Sequence, residues 1–231
     1  MNVSSVISRL AALLCVVSVL SSGCSSTGDS SLSAAETAKA VARIRLEAKV
    51  CLTRFQNHAD DPDIGADIAD LQCYVDKHKR TTELFPSPAE CPSCFARYGE
   101  GLRMMATYYR TLSVKQEHEL KRRPGSADSA ELKKLAAKNE KLAQGLYRKA
   151  LTQFNLHLRS PGPIDVRVYW RGFECASRLE RYKVAMEYLD AYERNMRLVR
   201  AEKQRVEKWR DWAQGQYEIL LRRQVRDELG G

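Results

Sequence analysis

Proline is confined to the gaps of this sequence. Its seven prolines, Pro62, Pro86, Pro88, Pro92, Pro124, Pro161 and Pro163, all stand in or beside turn-like segments. A proline inside a helix removes a backbone donor and clashes with the preceding turn, so stretches that exclude it are free to be helical. Those stretches are long and rich in Ala, Leu, Glu, Lys, Arg and Gln, the residues that lose least on entering a helix. No run of about four to eight alternating β-branched residues interrupts them, as a strand would. The expected fold class is all-α, an array of antiparallel helical hairpins with a long C-terminal helix.

Local signals divide the array. Ser33-Ala-Ala-Glu36 and Asp128-Ser-Ala-Glu131 have the capping-box spacing, in which a side chain and the acid three positions later satisfy free N–H groups. Asp61 precedes Pro62, a cap residue before a proline suited to a first helical position. These signals predict helices over 33–57, 62–80, 90–122, 128–158, 164–179, 182–195 and 197–228. The apolar face of the first reads Val41, Ile44, Leu46, Ala48, Cys51, Leu52 and Phe55. In the last, Val199, Val206, Trp209, Ala213, Tyr217 and Leu220 form one stripe. Residues 194–226 also hold ten Lys/Arg against four acids, so the stripe lies on a basic helix. Such a helix closes an array with its charges in water, or lies on an anionic surface.

The N-terminal residues carry a different pattern. Arg9 is the one charge before an eleven-residue apolar core, Leu10–Leu20, and Ser21-Ser22-Gly23 precede Cys24. A charged start, a short apolar span and a small-residue site make a secretory signal, too short to cross a bilayer, which takes about 20 apolar residues. The cysteine behind it resembles the lipobox of bacterial lipoproteins, with Leu20 one step further from the cysteine than is commonest. The resemblance implies cleavage before Cys24, diacylglycerol on its thiol and acylation of the new amino group. The domains are then a signal peptide over 1–23, a lipid-anchored tether over 24–32 (Ser/Gly-rich, hence flexible coil) and a helical-repeat-like domain over 33–231. Ser25, rather than Asp, after the cysteine points to the outer membrane, facing the periplasm.

Removing residues 1–23 takes the formal charge only from +9 to +8, so the anchored part stays basic. Basicity ordinarily raises nucleic acid as a partner. An exported, membrane-tethered chain rarely meets it, and the expected counterparts are acidic envelope proteins, anionic lipid head groups or envelope polymers; the plainer reading, and the preferred one, is solvated helix faces rich in Lys and Arg.

A repeat signature runs through residues 169–192. Tyr169, Gly172, Ala176, Tyr182, Ala185 and Leu189 fall near the aromatic, small and apolar positions of a 34-residue helix–turn–helix unit. Ala143, Tyr147, Ala150 and Leu151 match a later helix, and Tyr98, Gly101, Leu102, Ala106 and Tyr109 match an earlier one less well. This pattern resembles the tetratricopeptide repeat family. The resemblance implies stacked hairpins with a concave face for a protein partner.

Five cysteines lie beyond Cys24: Cys51, Cys73, Cys91, Cys94 and Cys175. Export permits disulfides. Cys51 and Cys73 flank one helical turn and could staple it, against an axial mismatch of about 6 Å. Cys91-Pro-Ser-Cys94 opens a helix, where the dipole lowers a thiol pKa. Thioredoxin-type chemistry wants a preceding strand, haem attachment wants His where Phe95 stands, and zinc wants a second ligand pair. A structural disulfide, local or to Cys73, is the preferred reading. Cys175 reads as a buried free thiol beside Phe173 and Ala176.

Other chemistry is weak. His118-Glu119 lacks the second histidine of a zincin, and Gly65 is misplaced for calcium among Asp60, Asp61, Asp63, Asp67 and Asp70, which read as acids facing a helix start. The four histidines have polar neighbours and read as surface. The sequence asks for no cofactor and presents no catalytic constellation. The expected function is an envelope-anchored interaction or assembly scaffold. The rivals are a thiol–disulfide or wall-remodelling enzyme and a membrane-surface module.

Overall fold

In the computed structural model, every one of these stretches is a helix; residues 32–57, 64–85, 87–123, 128–196 and 198–228 are described. The helices are α1 (Ala34–Asn57), α2 (Ile64–Glu83), α3 (Pro92–Arg122), α4 (Ser129–Arg159), α5 (Arg167–Arg178), α6 (Tyr182–Asn195) and α7 (Arg200–Glu228). They belong to the unit Ala34–Gly231 and pack as sequential antiparallel pairs, each against the next in the chain. The lipobox-like segment with Cys24, the tether to residue 31 and the Asp61–Pro62 start lie outside the described residues.

Amphipathic spacing sets what each helix buries. On α1, Val41, Ile44, Ala48 and Cys51 recur at three and four and are buried. Leu46 falls two residues after Ile44, on the opposite side, and is 66% exposed rather than part of the core face. On α7 only Val206 and Ala213 are buried, and Val199 lies outside the helix and exposed, so the predicted stripe is shorter than expected. One core runs through the body from Leu71 of α2 by way of Leu102, Tyr147, Phe154, Val168 and Leu189 to Val206.

Glycines set the spacing between neighbouring helices. A Cβ on Gly99 would come within 2.7 Å of the Phe154 ring, and one on Gly101 within 3.1 Å of Tyr74. On α5, a Cβ at Gly172 would overlap the ring of Tyr188 outright. The predicted repeat-signature residues Tyr169, Ala176, Tyr182, Ala185 and Leu189 are all buried with it. The helices α5 and α6 have 12 and 14 residues, whereas α3 and α4, at 31 each, are too long for a 34-residue helix–turn–helix unit.

Helix ends follow local bonding. Asp128 stands at the start of α4, but its backbone is already right-handed and its side chain makes no cap bond, so the expected capping box is absent there. The start of α5 falls at Arg167, not 164, because the Asp165 carboxylate takes up the Arg167 N–H at 3.1 Å. The α5–α6 turn is a Schellman motif: Arg181 N–H donates to Ala176 O at 2.9 Å and Glu180 N–H to Ser177 O at 3.1 Å. Glu180 occupies its left-handed position, with φ of 58°, where glycine is usual.

Asp67 lies in the first turn of α2, as expected of an acid facing a helix start, while Asp70 stands one turn further along. Both are buried: Asp67 accepts a bond from Tyr108 Oη at 2.8 Å, and Asp70 pairs with Arg54 at 3.0 Å. Cys51 and Cys73 are joined by a disulfide, their Cα atoms 5.9 Å apart, so the expected axial mismatch does not keep them apart.

Candidate binding groove

Where α3, α4, α5 and α7 meet, the array leaves a groove of about 670 Å³. Much of its lining is aromatic. Trp170 and Phe173 come from α5, Tyr182 from the start of α6, and Trp209 and Trp212 from α7. The rings touch in series: Trp170–Phe173 at 5.3 Å between centroids, Phe173–Trp209 at 5.8 Å, Trp209–Trp212 at 5.5 Å and Trp212–Tyr182 at 5.7 Å. The last three are edge-to-face and the first is tilted, and aromatic contacts of this kind hold large apolar surfaces in fixed orientations. Trp209 and Trp212 remain 38% and 40% exposed, and the chain's three tryptophans all line this space.

The rest of the lining includes prearranged ion pairs. Arg103 donates to both oxygens of Glu100 at 3.0 Å and to Glu174 at 3.0 Å. Arg171 also pairs with Glu100, and the Trp170 indole N–H donates to Glu174. Burial opposes the charge on Arg103, but Glu100 and then Glu174 outweigh it and hold the guanidinium above its ordinary pKa. Arg110 Nη1 donates to both carboxylate oxygens of Glu140, at 2.7 and 2.9 Å. Arg205 lies over the Trp170 ring at 4.8 Å. Arg178 and Arg205 have no ion-pair partner among the described residues, and the Ser177 hydroxyl is buried without a hydrogen-bond partner. Glu180, with its left-handed backbone, stands at the rim. Such a surface offers stacking, cation–π contact and free cationic donors together.

The predicted cysteine sites lie elsewhere. Cys91 and Cys94 form a local disulfide across the start of α3. Nη2 of Arg45, on α1, lies 3.8 Å from Cys91 Sγ, 3.7 Å from Cys94 Sγ and 3.3 Å from Ser93 Oγ. Its Nε is buried with no hydrogen-bond partner. Cys175 is buried and free, and burial pushes its thiol pKa far up.

Two of the histidines are core residues rather than surface ones. His157 is 2% exposed and joins three elements. Its Nε2 accepts the Asp165 N–H at 3.1 Å, which leaves the proton on Nδ1 to be donated to Pro92 O at 2.9 Å. That bond fixes the start of α3 against the end of α4. His78 is equally buried, edge-on to Tyr74 at 4.6 Å, and its Nδ1 has no partner.

No family model matches the chain, and neither does any curated protein or solved structure. Its function is read from its own residues. The groove was only partly foreshadowed: Trp209 stood on the predicted stripe, while Trp170 and Trp212 were not singled out. The signal was their scarcity, three tryptophans in a chain of 231 residues.

Proposed function

We propose that the protein is an envelope-anchored interaction scaffold that holds a segment of a partner protein in the α3–α4–α5–α7 groove. One observation carries this reading: the three tryptophans converge there with Arg178 and Arg205, which pair with no acid among the described residues. Tryptophan and arginine dominate the energetics of protein interfaces because they combine large contact area with directional donors. A groove of this size suits a few extended residues of a partner. The lipobox-like start supports tethering through acylated Cys24 to a bacterial membrane, the outer one facing the periplasm, with the body reaching its partner from the tether. In this reading α5–α6 is a tetratricopeptide-like unit within a longer-helixed array.

Site-specific photocrosslinking tests it. A photoreactive residue replacing Gln144, in the groove, should give a discrete protein adduct in the bacterial envelope. The same residue replacing Lys149, exposed elsewhere on α4, should not. Adding Trp212→Ala and Arg205→Glu should abolish the Gln144 adduct. Identical adducts from both positions, or an adduct indifferent to those substitutions, would count against the groove.

A further inference from the structure

We propose that Cys91 and Cys94 form a thiol–disulfide exchange couple whose reduced state is stabilised by Arg45. The inference is independent of the groove. One Arg45 nitrogen lies within 3.8 Å of both sulfurs, so a single guanidinium serves the whole pair. Among the described residues Arg45 has no ion-pair partner, and its buried Nε has no acceptor. The charge nearest to it in effect is another cation, Arg97. A disulfide sulfur is neutral and a weak acceptor, so the oxidised state leaves this cation poorly satisfied. A thiolate is the anion it lacks. Cys91 caps α3 and Cys94 lies in its first turn, where the 31-residue helix adds positive potential.

The molecule contains its own contrast. Arg54 Nη2 also reaches a disulfide sulfur, Cys73 Sγ, at 3.9 Å, but Arg54 is neutralised by Asp70 at 3.0 Å. Among the described residues, nothing comparable favours a thiolate at Cys51–Cys73. The two cysteines differ in exposure as well, since Cys91 is 9% exposed and Cys94 is closed off. Attack therefore falls on Cys91.

The substrate class is a protein or peptide dithiol. One of its thiolates attacks Cys91 Sγ, the Cys91–Cys94 bond breaks, and Cys94 leaves as a thiolate facing Arg45. The second substrate thiolate then attacks the substrate sulfur of the mixed disulfide and expels Cys91. The substrate loses two electrons and becomes a disulfide, the pair gains them, and the protons released by the substrate thiols balance those taken up by the new ones. A second disulfide compound, such as oxidised glutathione, restores the pair by the reverse exchange.

Equilibration of the full protein in reduced and oxidised glutathione tests this. Alkylation and trypsin cleavage read both bridges in one digest, because residues 81–97 hold Cys91 and Cys94 and no other cysteine. The CxxC pair should be half-reduced in a buffer about tenfold more oxidising than Cys51–Cys73 requires. Arg45→Met should shift the CxxC equilibrium about tenfold toward the disulfide, about 30 mV for two electrons, leaving Cys51–Cys73 unmoved. Arg45→Lys should restore most of the difference. An Arg45→Met protein of unchanged helicity and unchanged equilibrium overturns the proposal. If that variant does not fold, the alkylation rate of Cys91 in the reduced wild type decides: an inflection clearly below pH ~8.5 upholds the couple, and one at or above it overturns it.

Discussion

His78 lies against Tyr74 with one ring nitrogen unpartnered, in the same neighbourhood as Arg45 and Arg97. Burial, then the charges of Arg97 and Arg45, push its pKa from 6.5 down to about 4. The unfolded chain, with an ordinary histidine, binds a proton below pH ~6.5 that the folded protein refuses. The His78 contribution to stability is therefore complete above that pH, falls as the pH drops toward 4, and levels off below. Its depth is about 3 kcal/mol, from 1.36 kcal/mol per pKa unit. Urea unfolding of wild type and His78→Leu at pH 7 and pH 4.5 should show the wild type losing more on acidification. Parallel losses would place the cause in the carboxylates. Residues of this kind were the least legible in the sequence. Polar chain neighbours made His78 and His157 read as surface, because the residues that bury a helical side chain come from other helices.

At the scale of elements, the glycine–aromatic contacts give opposite expectations for the same substitution. Gly172→Ala must displace a Tyr188 ring whose hydroxyl is itself tied to Asn155 at 2.6 Å. A net loss of about 2 kcal/mol is expected, overpacking outweighing the better helix propensity of alanine. Gly145→Ala meets nothing within 4 Å and should gain about 0.5–1 kcal/mol. Denaturant midpoints moving in the same direction for both would refute this account of the α5–α6 contact. Helices were the most legible part of the chain, since proline placement and apolar spacing are local properties, and the seven segments differ from those expected by at most three residues at an end. The misses have local causes too: Asp165 delays α5 by bonding the Arg167 N–H, and Leu46 was counted into a face it stands opposite.

Over the whole molecule, each helix packs chiefly on its sequence neighbours, so stability has to be a sum of adjoining interfaces. The α3–α4 hairpin has the most extensive one, and α7 buries only two residues along its length. Hydrogen exchange should accordingly be slowest in α3 and α4 and fastest in the part of α7 beyond Ala213. Uniform protection along α7 would mean that its final turns are covered in solution. The groove could not be foreseen as a unit, since its walls combine Arg103, Glu140, Trp170 and Trp212, residues brought together only by the order in which hairpins stack. The convergence of the tryptophans has an optical corollary. The indole emission of the protein originates from a single region, so its wavelength and its quenching by iodide report on that region alone, and added molecules can be screened for occupancy without a label.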